Sequence, residues 1–238
     1  MPIYRSTYHY GNLRAALTDA ALDLARHGGP AAVTVRGVAR SVGVTPPAAY
    51  RHFAEAEELL TATKDRALTL LAERVDAALG SFAAGASAKA DASPGGGAGR
   101  RERPIAGASA SLIESVPVRE YAIATAAACL RTVAEAYVSF AKTYPGLFAM
   151  ACHGSPDTVR LLITDRVAPF LDALSDRRPG LVFALWSAVH ALAVLAAEGT
   201  SRDVSQDEVL DTMLAWIAGD VLAAARSRPA EANRDRHR

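Results

Sequence analysis

Residues 34–53 read TVRGVARSVGVTPPAAYRHF, and the reading of this stretch decides the fold. Thr34 stands where a hydroxyl can cap a helix, and Val35, Val38 and Ala39 follow on one helical face, with Val42 near its end. Gly43 can enter the left-handed backbone region at little steric cost, so it marks the stop of that helix. After Val44 the pattern restarts at Thr45-Pro46, a cap followed by proline at the first helical position. Pro47 falls in the same first turn, whose amides have no helical acceptor to lose. A helix from about Pro46 to His52 is too short to stand alone in water, so Val44, Ala49 and Phe53 must anchor it. Its remaining face carries Thr45, Ala48, Tyr50, Arg51 and His52. That set of hydroxyl, methyl, phenol and cationic groups suits a major groove about 12 Å wide.

Outward from this pair, the chain of 238 residues is half apolar and rich in alanine, with little β-branched alternation. The economical fold class is all-α, with a small head and a larger body. The net charge of +1 hides an asymmetry, because residues 1–52 hold six arginines against two acidic residues, while residues 53–225 hold fifteen basic against twenty-one acidic ones. A basic head on an acidic body orients the molecule towards a polyanion. Cys129 and Cys152 read as two buried thiols rather than a redox or metal pair. No signal segment opens the chain, and the apolar run from Leu181 to Ala197 is interrupted by His190 and ended by Glu198. The expectation is a cytoplasmic protein with no membrane partner and no cofactor.

Before the decisive stretch, Arg5, His9, Tyr10 and Asn12 form a polar arm, and Leu13, Ala16, Leu17, Ala20, Ala21 and Leu24 form a helical stripe stopped by Gly28-Gly29-Pro30. This first helix predicts a cover for the helix pair, closing a three-helix core. Beyond Phe53 a longer helix is predicted from about Glu55 to about Leu79, its acidic start favouring the helix dipole. Residues 80–104, rich in Ala, Gly and Ser, predict a mobile loop followed by the basic cluster Arg100, Arg101 and Arg103. A short helix over 105–116 is expected to break at Pro117, with a long one resuming from about Arg119 to Lys142. Pro145 opens a short segment to Cys152, and Asp157 to Leu174 forms a helix that Pro169 should kink or tighten. The two last helices, Leu181 to Ala197 and Val204 to Ala225, are too broadly apolar for one small domain to cover. Pairing with a second copy would complete a four-helix bundle about a two-fold axis. The predicted organisation is a DNA-binding domain over 1–54, an effector-binding and dimerisation domain over 55–225, and a flexible basic tail over 226–238.

The stretch from Tyr8 to Ala62 resembles the TetR-type transcriptional regulators in its order of glycine, apolar and aromatic positions. The carboxyl half is similar to the WHG-type ligand-binding domain at YPGLFAMACHG (144–154) and LWSAVHALAVLAAEG (185–199). The signature itself departs, to Trp186, His190 and Ala191. The resemblance implies an all-helical homodimer joined through its last two long helices. It also implies a palindromic double-stranded DNA operator, and Arg36 reaching a base edge from the first helix of the pair. Thr45, Pro46, Pro47, Ala48, Tyr50 and Arg51 would occupy the recognition region, with Tyr50 and His52 at its phosphate-contacting end. The two prolines offer apolar contact only, which throws weight onto Arg36 and DNA shape. A small apolar or amphipathic effector in the body would change head spacing through the helix from Glu55, giving repression relieved by ligand.

Tyr121, Tyr137, Phe148, Met150, His153, Trp186 and His190 are the candidate ligand contacts, with core packing or a structural hydrogen bond as the alternative for each. An enzyme is disfavoured, because the chain has no paired carboxylates, nucleophile motif, phosphate loop or HExxH. A helical dimeric protein-interaction module is the competing non-enzymatic reading. Reversing the charges of Arg36 and Arg51 separates the two.

Overall fold

Asn12 opens the described chain by accepting the Ala15 N–H on its side-chain oxygen at 3.3 Å, which caps helix α1 (Leu13–Gly28). In a computed structural model, the described residues are 12–91, 116–175, 179–200 and 205–226. The polar arm before Asn12, the basic cluster at 100–103, the expected helix over 105–115 and the tail from 227 lie outside them.

Gly29, at φ 64°, ends α1 and leads through a short 3-10 turn (Pro30–Ala32) to helix α2 (Val35–Val42). Thr34 caps α2 as its position predicts, its Oγ1 accepting the Gly37 N–H at 3.0 Å. Gly43 stops it in the left-handed conformation, and the Val44 N–H reaches back to the Ala39 carbonyl. Helix α3 (Pro46–Tyr50) is shorter than predicted, with Arg51 as its C-cap.

Thr45 does not cap α3 with its side chain, contrary to the sequence reading. Proline at both 46 and 47 removes the first two amide donors, and the Ala48 N–H is taken by the Thr45 carbonyl at 2.9 Å.

Helix α4 (Ala56–Asp91) runs well past Leu79 and overturns the expected loop over residues 80–91. Alanine dominates this extension and suits a helix despite Gly80 and Gly85. Phe82 is held edge-on against Phe170 at 6.2 Å, so the extension has a tertiary contact that its local composition does not reveal.

Pro117 does not separate two helices. It lies in the first turn of helix α5 (Val116–Thr143), where its missing N–H costs no helical bond. Helix α6 (Pro145–Ala151) starts on a proline in the same way. Helix α7 (Asp157–Ser175) passes through Pro169 without ending, and α8 (Pro179–Glu198) and α9 (Gln206–Arg226) follow. The segment Gly180–Glu198 is long and apolar enough by length and composition to cross a membrane, with a mean hydropathy of 2.0.

The chain forms two compact units. One comprises, among the described residues, 12–74, 139–163 and 193–200, so α6 joins α1, α2, α3 and the first part of α4. Its core includes Leu17, Ala21, Val38, Ala39, Ala49, Phe53, Leu59, Leu147 and Met150. Gly146 brings α6 against the backbone of the last turn of α1, where an added Cβ would stand 2.1 Å from the Ala25 carbonyl oxygen. The Arg26 guanidinium lies 5.2 Å from the Tyr144 ring centroid at the same contact. The other unit comprises, among the described residues, 75–91, 116–138, 164–175, 179–192 and 205–226, with Ile123, Cys129, Val133, Tyr137 and Leu210 in its core. Arg166 meets Asp76 through two hydrogen bonds, of 2.7 and 3.3 Å, and Arg131 meets both Glu135 and Asp211.

Candidate nucleic-acid interface

The helix pair sorts its residues by face. Val35, Val38 and Ala39 of α2 and Ala49 of α3 are buried, together with Phe53 just beyond α3. Arg36 and Arg40 therefore stand one turn apart on the exposed side of α2. Thr45, Pro46, Pro47, Tyr50 and Arg51 are exposed, and Ala48 and His52 are half-buried. Tyr50 leaves 43% of its surface open, a large aromatic that this unit does not use as core. Among the described residues no carboxylate pairs with Arg36, Arg40 or Arg51. Three guanidinium groups and a phenol thus share an α2–α3 segment with their donors uncommitted. The arrangement can serve charge-assisted hydrogen bonding to phosphate oxygens or to the acceptor edge of guanine. The Thr45 hydroxyl makes no cap bond and is exposed.

Arg14 is absent from the sequence-predicted site and stands beside it. Its guanidinium lies 4.2 Å from the Phe53 ring centroid, donates to the His52 carbonyl and donates to Glu58 Oε1 at 2.9 Å. Glu58 Oε2 accepts the Ala54 N–H at 3.1 Å. The Arg14 hydrogen bond, with the Ala54 N–H adding to it, holds the Glu58 carboxyl below its ordinary value of 4.5. An unpaired arginine at the start of an amphipathic helix was the available signal, but its partners lie about forty residues away. Lys64, farther along α4, donates to the His153 carbonyl just beyond α6 at 2.5 Å.

The candidate ligand residues fall in separate places. Tyr137, Trp186 and His190 come together, with the Tyr137 hydroxyl 2.8 Å from His190 Nδ1, Trp186 stacked on His190 at 5.0 Å and Tyr137 tilted against Trp186 at 5.6 Å. Tyr137 is fully buried, and burial pushes the His190 imidazole below its ordinary value, favouring the neutral ring. Phe148 and Met150 are buried in the other unit, where His153 is half-buried. Tyr121 is 75% exposed.

Of the two thiols, Cys129 is buried and its pKa is pushed up to about 11 by desolvation. Cys152 is only half-buried, which corrects the expectation of two buried thiols. It is the C-cap of α6. Among the described residues no group of three or more His, Cys, Asp or Glu could hold a metal ion.

Residues 17–63 match the model of the family described as bacterial regulatory proteins, tetR family. The matched segment includes the α2–α3 surface, and regulators of that family are not enzymes. The fold is similar to that of a TetR-like transcriptional regulator from Rhodococcus sp. RHA1, at 16% identity and a TM-score of 0.52 over 91% of this chain and 99% of that one. It is also similar to a protein of unknown function from Rhodococcus sp. RHA1, at 19% identity and a TM-score of 0.54 over 90% and 98% of the two chains. No curated protein sequence matches significantly. The chain thus matches the tetR-family regulatory model over a segment near its amino end, within an all-α fold shared with both of these structures.

Proposed function

We propose that this chain is a ligand-responsive transcriptional regulator that binds a palindromic DNA operator as a homodimer, most simply as a repressor. The observation that carries this reading is the α2–α3 surface within the matched segment, where Arg36, Arg40 and Arg51 have no acidic partner among the described residues and Tyr50 is open. Arg36 would donate two hydrogen bonds to a guanine edge, a contact worth about 1–3 kcal/mol of discrimination. Arg51, Tyr50, His52 and the free Thr45 hydroxyl would hold register on phosphate, and Pro46, Pro47 and Ala48 would supply apolar contact to sugar or a thymine methyl.

Two copies would be joined through α8 and α9. Phe183 and Trp216 support this, at 61% and 79% exposure, as does the low internal burial of Gly180–Glu198, 22% of its most apolar window. A partner surface of the same kind would cover such an apolar face. A small apolar or amphipathic effector would act in the body, with the Tyr137–Trp186–His190 cluster as the polar and aromatic handle for it. An effector that prefers the head spacing unfit for DNA would release the operator. The protein would then work in the cytoplasm.

The test is selection of duplexes from a randomised library by the purified full chain, followed by footprinting. The proposal expects a palindromic site, a dimer in solution, and loss of specific binding in R36E and R51E with the dimer intact. Failure to enrich any duplex, or unchanged binding in both variants, would favour an interaction module instead.

A further inference from the structure

Helix α3 has little with which to hold its own orientation. It spans five residues, and two of them are prolines with no N–H. At its ends, Ala48 and Ala49 donate to the Thr45 carbonyl, and Arg51, His52 and Phe53 donate to the Ala49 carbonyl. The burial of Ala49 and Phe53 fixes depth, but rotation of the exposed end carrying Tyr50 and Arg51 needs a further constraint.

One guanidinium provides it. Arg14, in the first turn of α1, touches the carbonyl of His52 and the ring of Phe53, and through Glu58 it reaches the N–H of Ala54. Three consecutive residues after the DNA-facing end of α3 are thereby tied to α1 and to the start of α4. We propose that Arg14 and Glu58 form a brace that sets the orientation of the recognition helix, so that both are positioning residues for DNA reading. This inference rests on the operator-binding function proposed above.

The brace works by geometry rather than by stability. Both side chains are about half exposed, at 49% and 43%, and an ion pair that open to solvent contributes little to folding. The forked, planar shape is what lets one group bond a carbonyl and a carboxylate while lying on a ring, and an ammonium cannot reproduce it. Glu58 also supplies a sign that separates this role from ordinary electrostatics. Removing a carboxylate near a polyanion should tighten binding on charge alone. Removing half of the brace should weaken it.

The experiment compares the full chain with R14K, R14Q, E58Q and R14Q/E58Q. The probes are a duplex recovered by the wild type from a randomised library and an unrelated random duplex. The brace expects E58Q and R14Q each to weaken the selected duplex by about tenfold, the scale of one charge-assisted hydrogen bond. The double variant should be no worse than either single one, and R14K should behave as R14Q. Thermal midpoints and the salt slope should stay near wild type. Equal or tighter binding by E58Q overturns the brace, as does wild-type affinity in R14K. A salt slope reduced by about one in R14Q would make Arg14 a direct phosphate contact and would equally overturn it. If the wild type enriches no duplex, operator binding itself fails. The brace is then read from amide exchange at Ala54, which E58Q should accelerate and which, if unchanged, refutes it.

Discussion

Replacing Gly146 with alanine should destabilise the unit that carries α2 and α3, although the same change in an open helix would stabilise it. The new Cβ would lie 2.1 Å from the Ala25 carbonyl oxygen, 2.7 Å from that of Arg26 and 2.9 Å from the Arg26 carbonyl carbon. All three are backbone atoms of the last turn of α1, so no side chain can swing aside. Reaching ordinary contact requires α6 to move off α1 by about 1 Å, and overpacking of this kind costs about 1–3 kcal/mol. The helix-propensity gain from alanine, about 0.5–1 kcal/mol, offsets only part of it. A net loss of about 1–2 kcal/mol lowers the midpoint by about 2–8 °C for a chain of this size. Gly80 is the control, because it lies inside α4 with nothing within 4 Å of an added Cβ. G80A should raise the midpoint of its own transition by about 1–4 °C. Calorimetry of both variants reads the two signs directly. A midpoint for G146A at or above wild type would mean that α6 does not seat on α1 as described, and the reasoning would fail.

The two threonines before α2 and α3 should behave differently. T34A loses a side-chain cap and about 1 kcal/mol of stability, whereas T45A loses no cap and should leave the thermal midpoint unchanged while weakening operator binding. Equal midpoints for the two variants would contradict the capping geometry. Because burial lowers the His190 pKa, the folded chain prefers the neutral ring and the unfolded chain binds the proton first. Its contribution is therefore whole above the unfolded value of about 6.5 and is lost as pH falls from there towards the folded value. Thermal scans from about pH 7.5 to about pH 5.5 should show a falling midpoint, with a shallower fall in H190Q. An identical fall in H190Q would refute the assignment. Cys129, buried with a pKa near 11, should resist a thiol reagent in the native chain and react only on unfolding, and labelling under native conditions would count against its packing.

The elements most legible in the sequence are those whose signals lie within one turn. Thr34 with Gly37, Gly43 with the Ala39 carbonyl, and Pro145 at the first position of α6 each act over four residues or fewer, and each appears where the residues imply it. The exposed set on α2 and α3 was legible for the same reason, since burying Val35, Val38 and Ala49 leaves Arg36, Tyr50 and Arg51 outward. The failures have one cause. Thr45 resembles a cap until the backbone assigns the Ala48 N–H to the carbonyl instead. Pro117 resembles a break until the helix is seen to start one residue before it, and residues 80–91 resemble a loop until Phe82 finds Phe170.

What the sequence determined alone was the helical class, most of the helix starts and stops, and the buried and exposed faces of the α2–α3 pair, because these follow from chain periodicity and local hydrogen-bond supply. Only the tertiary structure decided that α6 seats on α1 through Gly146 and that Arg14 reaches Glu58 and the end of α3. Those choices depend on which distant surfaces exclude water together and which distant donor meets which acceptor. Neither is encoded within a turn of the residues that make the contact.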